Sequence, residues 1–202
     1  MVWIKAYIFL TLLFCLFCLR KTKSCFLLTI ILLAANTTGL IAYVNESYYH
    51  ESANLYIFIS FICSFLIMNM GCKNSLIPKY SVLLFVGFCI ASYFFNSIHK
   101  FNQDIFVFGS LAYLVVFIIV SINNLKEEDL DFFTSNNFIL ISSPLLFFLG
   151  MALIFGFKNK ELNNQDVLGM KFYELVNLFG NITYYSLVNL YIYKEFKQKN
   201  AT

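Results

Sequence analysis

An all-α, polytopic transmembrane bundle of seven helices is the fold this sequence predicts, with the N-terminus outside and the C-terminus inside. Three observations predict it. Hydrophobic residues make up 60% of the 202 positions and charged residues only 12%, which is more apolar surface than one soluble core can hide. The apolar residues fall into seven continuous runs, each close to the roughly 20 residues a helix needs to cross a bilayer. Lys and Arg gather on alternate connections between those runs, as chain orientation in a membrane requires.

The runs cover, in order, about residues 2–19, 25–44, 55–70, 81–98, 105–122, 138–157 and 175–193. Helices follow by necessity, because backbone groups in lipid must bond within their own segment and ten-residue strands of alternating polarity are absent. The first run carries Lys5 near its outer end, where the side chain can snorkel, and it is read as a retained span because no small-x-small cleavage site follows it. In the sixth, Pro144 has no N–H to donate and should kink the helix. The longest connection, 158–174, is expected to lie partly on the membrane surface as an amphipathic turn of helix. Small residues four apart, Gly87 with Ala91 and Ala152 with Gly156, read as helix-packing positions.

Orientation rests on the basic residues. Arg20, Lys21, Lys23, Lys73, Lys79, Lys126, Lys194, Lys197 and Lys199 fall on one side, against Lys5, Lys100, Lys158, Lys160 and Lys171 on the other. The richer side is expected to be cytoplasmic, which places the chain in the inner cell membrane as a multi-pass protein.

The composition excludes several function classes. A net charge of +3, scattered among loops, does not make a nucleic-acid surface. No Asp, Glu, Arg or His stands in the central turns of any run, so buried acid–base pairs, pumps and intramembrane proteases lack their reacting groups. A retinal protein needs a Lys near the middle of its seventh helix, whereas Lys171 and Lys194 flank that run. No catalytic residue, metal site or cofactor is expected. Cys15, Cys18, Cys63 and Cys89 lie inside runs while Cys25 and Cys72 lie at their edges, so all six are read as free thiols that pack as small apolar groups. Cys15 and Cys18 have the spacing of a redox pair but sit within a span with no second pair beside them.

What remains is uncharged polarity. Asn177, Asn181, Tyr184 or Tyr185, and Asn189 recur at helical spacing along one face of the seventh run, with Glu174 one turn earlier. Asn36, Thr37 and Thr38 stand near mid-depth in the second run, and Ser142 and Ser143 precede Pro144 in the sixth. Asn36, Thr37, Ser142, Ser143, Asn177, Asn181, Tyr184 and Asn189 are the candidate ligand site, with Asn177 and Asn181 expected to face Asn36 and Ser142-Ser143 across the interior. Interhelical hydrogen bonding alone is the plainer reading. Glu127, Glu128, Asp129 and Asp131, followed by Phe132-Phe133, form the densest charge cluster and are read as a solvated cytoplasmic loop or a docking point for a basic partner.

The stretch Ser143-Pro144-Leu145-Leu146-Phe147-Phe148-Leu149-Gly150, with Tyr173-Glu174-Leu175-Val176-Asn177 and Tyr191-Ile192-Tyr193-Lys194, resembles small seven-helix membrane proteins of Bacteroidetes over about the last 70 residues. Some of that group look like the membrane halves of sensor kinases. The resemblance implies a stand-alone sensory or accessory membrane subunit, working with the bilayer and a cytoplasmic or membrane protein partner. A small-solute transporter or channel is the alternative, favoured if Asn36, Asn177 and Asn181 line a continuous wet path.

Overall fold

The computed structural model describes residues 2–18, 23–70, 76–95, 100–157, 163–167 and 169–200. Among them the chain is almost wholly helical: α1 (Val2–Cys18), α2 (Lys23–Val44), α3 (Tyr49–Met70), α4 (Leu76–Phe95), α5 (Gln103–Lys126), α6 (Leu130–Thr134), α7 (Asn136–Ser142), α8 (Leu145–Phe157) and α9 (Phe172–Asn200). Five stretches are long and apolar enough to cross a membrane: α2, α3, α4, α5, and the interrupted pair α7–α8 taken as Asn136–Gly156. They mark a membrane-embedded protein. At about 1.5 Å per residue, the 22 residues of α2 or α3 reach about 33 Å, against a hydrocarbon core of about 30 Å. In their described parts the seven apolar runs fall on helix, the sixth interrupted at Ser143-Pro144, and α1 and α9 complete the bundle by packing on each other.

Helix ends depart from the apolar runs because hydropathy marks the lipid boundary, while a helix stops where its terminal backbone groups find other partners. α3 starts at Tyr49 and not near residue 55, since Asn45 closes the connection first. Asn45 Oδ1 accepts from the Ser47 amide at 3.1 Å and its hydroxyl at 2.6 Å, and Glu51 then stands in the first turn of α3, where a carboxylate suits the helix dipole. α4 starts at Leu76 and not near residue 81. Pro78 is tolerated there because the first turn has no use for its missing donor. Of the 158–174 connection, expected to hold an amphipathic turn of helix, Asn163 and Asn164 are helical, and residues 158–162 lie outside the described residues. Asp166–Val167 pairs antiparallel with Met170–Lys171 around Gly169, whose φ of 77° is left-handed and suits glycine, and α9 follows at once.

Pro144 does break the sixth apolar stretch, and the break is repaired locally. The Leu140 carbonyl, which an ordinary residue 144 would bond, accepts the Ser143 hydroxyl at 2.8 Å. The Ile141 carbonyl accepts the Tyr113 hydroxyl from α5 at 2.7 Å. Interrupted helices persist in lipid when hydroxyls take up the freed carbonyls in this way.

Contacts run round a ring, α1 on α2, α2 on α3, α3 on α4, α4 on α5, α5 on α8, α8 on α9 and α9 back on α1, with α3 also reaching α5 and α7. α3 is accordingly the most buried span. Its Phe61 and Phe65 belong to an aromatic core with Phe85, Tyr113 and Phe148, each at most 2% exposed. Phe61 stands 4.4 Å from Phe148 and 5.2 Å from Phe85 between ring centroids. Gly109 makes that packing possible, since a Cβ there would lie 2.8 Å from both Phe61 and Phe85. The small residues expected to bring helices together are only partly the ones that do so. Gly87 faces open space, whereas α8 and α9 approach at Gly150 and Gly180, where a Cβ would meet Val176 at 2.9 Å and Phe147 at 3.1 Å.

Cys15 and Cys25 face each other where α1 meets α2, with sulfurs 3.9 Å apart, and the five described cysteines are free thiols. Cys72, His99, and the basic residues Arg20, Lys21, Lys73, Lys158 and Lys160 lie outside the described residues.

Candidate functional site

A cavity of about 400 Å³ opens at one end of the bundle, and the helix ends that form it alternate. α1, α3, α5 and α9 present their N-terminal turns there, through Ile8, Ala53, Phe106 and Asn177, while α2 and α8 present their C-terminal parts, through Gly39 and Met151. That convergence is what an up-and-down bundle requires, and it gathers at one end residues far apart in sequence. The volume lies at the small end of ligand sites, about 300–1,000 Å³.

The lining has two halves of different chemistry. Ile57, Phe106, Phe147 and Met151 make an apolar floor. Next to the cavity Phe106 packs edge-on against Phe61 and Phe148 at 5.7 and 6.1 Å. The other half is polar: Lys5, Thr38, Tyr56, Asn177, Asn181 and Tyr185. Lys5 is the one charged residue among the described lining, and no carboxylate joins it. Its stem lies over Gly39, within 4 Å of where a Cβ would stand, and its Nζ donates to the Gly39 carbonyl at 3.3 Å. Glu174, one turn before Asn177, stands outside the lining and accepts the Tyr173 hydroxyl at 3.2 Å. Asn181 donates to the Asn177 carbonyl and to Asn177 Oδ1, both at 2.8 Å, so its amide is spent on its own helix and its Oδ1 is left for the cavity. Thr38 donates to the Ala34 carbonyl at 2.9 Å and contacts the Ser52 carbonyl at 3.2 Å, holding α2 against α3 at the rim.

Of the eight candidate ligand residues, the structure brings Asn177 and Asn181 together in this cavity. Asn36 lies outside it and donates to the Leu32 carbonyl of its own helix at 2.8 Å. Thr37 is exposed and bonds the Ala34 carbonyl. Ser142 and Ser143 bond the carbonyls of Ile139 and Leu140, within the proline break. Tyr184 shares with Ser143 and Pro144 a void of about 10 Å³, room for at most a single water. Asn189 joins α9 to α1, donating to the Tyr7 hydroxyl at 3.2 Å and to the Thr11 hydroxyl at 3.1 Å. A shared helix face therefore did not mean a shared site, because the α9 stripe meets α1 along half its length and the cavity along the other. Tyr185, the alternative to Tyr184 on that face, and Thr38, next to Asn36 and Thr37, are the polar positions that do reach the cavity, whereas the sequence pointed to neither Lys5 nor Tyr56 as a site residue. Lys5 carried the available signal: it was the one charge placed on the outer side within a span.

A second polar cluster lies at the same end, among α3, α4 and α5. Asn54, 3% exposed, donates to the Lys100 carbonyl at 2.9 Å and accepts the Asn102 amide at 2.9 Å. Asn102, 6% exposed, donates to the Ser92 hydroxyl at 2.9 Å and caps α5 by accepting the Ile105 amide at 3.2 Å.

The acidic loop lies on the far side of the bundle. Glu127 caps α5, Glu128 takes a left-handed φ of 54°, Asp129 precedes α6 and Asp131 stands in its first turn. Glu127, Glu128 and Asp131 are exposed and Asp129 half-buried, while Phe132 is buried against Phe133 and Phe138 at 5.1 and 5.5 Å. Beside it Asn136, at the start of α7, donates to Glu195 Oε1 at 3.0 Å and to Gln198 Oε1 at 2.9 Å near the end of α9. No group of three or more metal-ligating side chains occurs among the described residues.

No family model, curated protein or solved structure matches the chain.

Proposed function

We propose that this chain is a non-enzymatic, seven-span integral membrane module of the inner cell membrane, with its N-terminus outside, that senses a ligand in the α1–α2–α9 cavity and passes the change to a protein partner. The observation that carries the reading is the course of α9. One helix supplies Asn177, Asn181 and Tyr185 to the cavity, and some 21 Å further along (14 residues at about 1.5 Å each) supplies Glu195 to the contact with Asn136, next to the acidic loop. A ligand that favours one setting of α9 would bias the other end by its difference in affinity for the two settings. The buried aromatic packing of Phe61, Phe106 and Phe148 beside the cavity favours sensing over the transporter or channel alternative, which needs a wet path through that level.

Two experiments test it. Reporter fusions after Lys79 and after Lys199 are expected to be cytoplasmic and a fusion in the 46–54 connection external. A cytoplasmic signal from the last overturns the orientation. Photo-crosslinking from residue 128 in intact membranes is expected to capture one protein partner, and that product should be lost in the variant Glu127→Gln, Glu128→Gln, Asp131→Asn at unchanged abundance. A product indifferent to those charges contradicts docking at the loop.

A further inference from the structure

The chemistry of the cavity says more about its occupant than sensing requires. Its floor is hydrocarbon and aromatic, which favours an apolar chain through burial alone. Its rim holds one ammonium, from Lys5, with no carboxylate among the described lining to neutralise it. Lys5 stands at the outer end of α1, where a lysine facing outward would point its amine to water or to lipid head groups. Its stem lies across Gly39 while the residue stays exposed, and its contact with the Gly39 carbonyl at 3.3 Å uses one of three ammonium donors. A neutral ligand would leave those donors to water, and a cation would be repelled.

We infer that the cavity binds a single-chain amphiphile bearing one negative charge, its anionic head on the Lys5 ammonium and its chain on Phe106, Phe147 and Met151. One positive charge matches a monoanionic head such as a carboxylate. The volume of about 400 Å³, open at one end, suits one chain of medium length better than a two-chain phospholipid. This inference rests on the sensing reading for the purpose of the site, but its chemistry can be tested without any partner.

The test uses the full chain in nanodiscs of phosphatidylcholine, with empty discs subtracted, and equilibrium binding of radiolabelled decanoate. Decanol supplies the chain without the charge, and acetate supplies the charge without the chain. Decanoate is expected to saturate at one molecule per chain, while decanol and acetate do not saturate. Lys5→Gln should weaken decanoate binding about tenfold or more, as loss of a charge-assisted hydrogen bond does, and Lys5→Arg should restore most of it. Ala35→Leu, which fills the cavity and leaves Lys5 in place, should weaken binding similarly, so the outcome does not depend on Lys5→Gln folding. Decanol binding as well as decanoate, acetate saturating alone, no saturable decanoate binding, or an unaffected and folded Lys5→Gln would each overturn the inference. Those results leave the partner crosslink of the sensing reading untouched. A saturable, Lys5-dependent decanoate site in a chain that captures no partner would in turn sink the sensing reading and leave this one standing.

Discussion

Two polar clusters share one end of this bundle and are built on opposite terms. In the cluster of Asn54, Ser92 and Asn102, each asparagine side chain bonds a group on another segment, and both are buried. In the cavity, Asn181 donates both of its bonds to its own helix, and Lys5 spends one bond on Gly39. The first arrangement fixes where α3, α4 and α5 meet. The second leaves polar atoms facing empty space, which is the condition for binding something. Asparagine in a membrane protein is therefore not informative by type or by depth: what separates glue from site is whether its partners lie across a helix boundary.

The contrast can be broken most severely at Asn54. Asn54→Leu removes the acceptor of the buried Asn102 amide and the donor to the Lys100 carbonyl, so two backbone groups lose their partners and the loss of stability is expected to be about 2 kcal/mol or more. Equilibrium unfolding in mixed detergent micelles measures it. An unchanged midpoint would show that water replaces Asn54 at no cost. Next in size is Gly109→Ala, whose new methyl would stand 2.8 Å from Phe61 and Phe85, an overpacking expected to cost about 1–3 kcal/mol. A tolerated alanine would mean that the aromatic floor is softer than its packing implies. Asn189→Leu, which removes two bonds to α1, is expected to cost about 1 kcal/mol by the same titration, in line with hydrogen bonds between membrane helices.

Much of the architecture was legible because lipid leaves a chain few options. Five of the seven apolar runs found stretches long and apolar enough to cross a membrane, the first and last found helices in their described parts, and Pro144 broke its helix where its missing donor said it would. Helix ends were less legible, since Tyr49–Asn54 and Leu76–Tyr80 are helical outside the apolar runs and respond to local capping, not to lipid. The candidate site was legible only in part. Spacing put Asn177, Asn181 and Asn189 on one face, but which neighbour that face meets changes along α9 from the cavity to α1, and periodicity holds no record of neighbours. Lys5 and Thr38 could not be assigned to the cavity from sequence, because the fold that brings α1 and α2 to α9 closes a ring across almost the whole chain.

Asn181→Leu tests the central distinction most directly, by reading its unfolding midpoint and its partner crosslink on the same membranes. Because the Asn181 bonds lie within α9, the account predicts a loss of stability of about 1 kcal/mol or less, together with a change in crosslink yield larger than the folded fraction explains. A crosslink yield that simply follows the folded fraction would contradict it, and would make the cavity asparagines packing residues like Asn54.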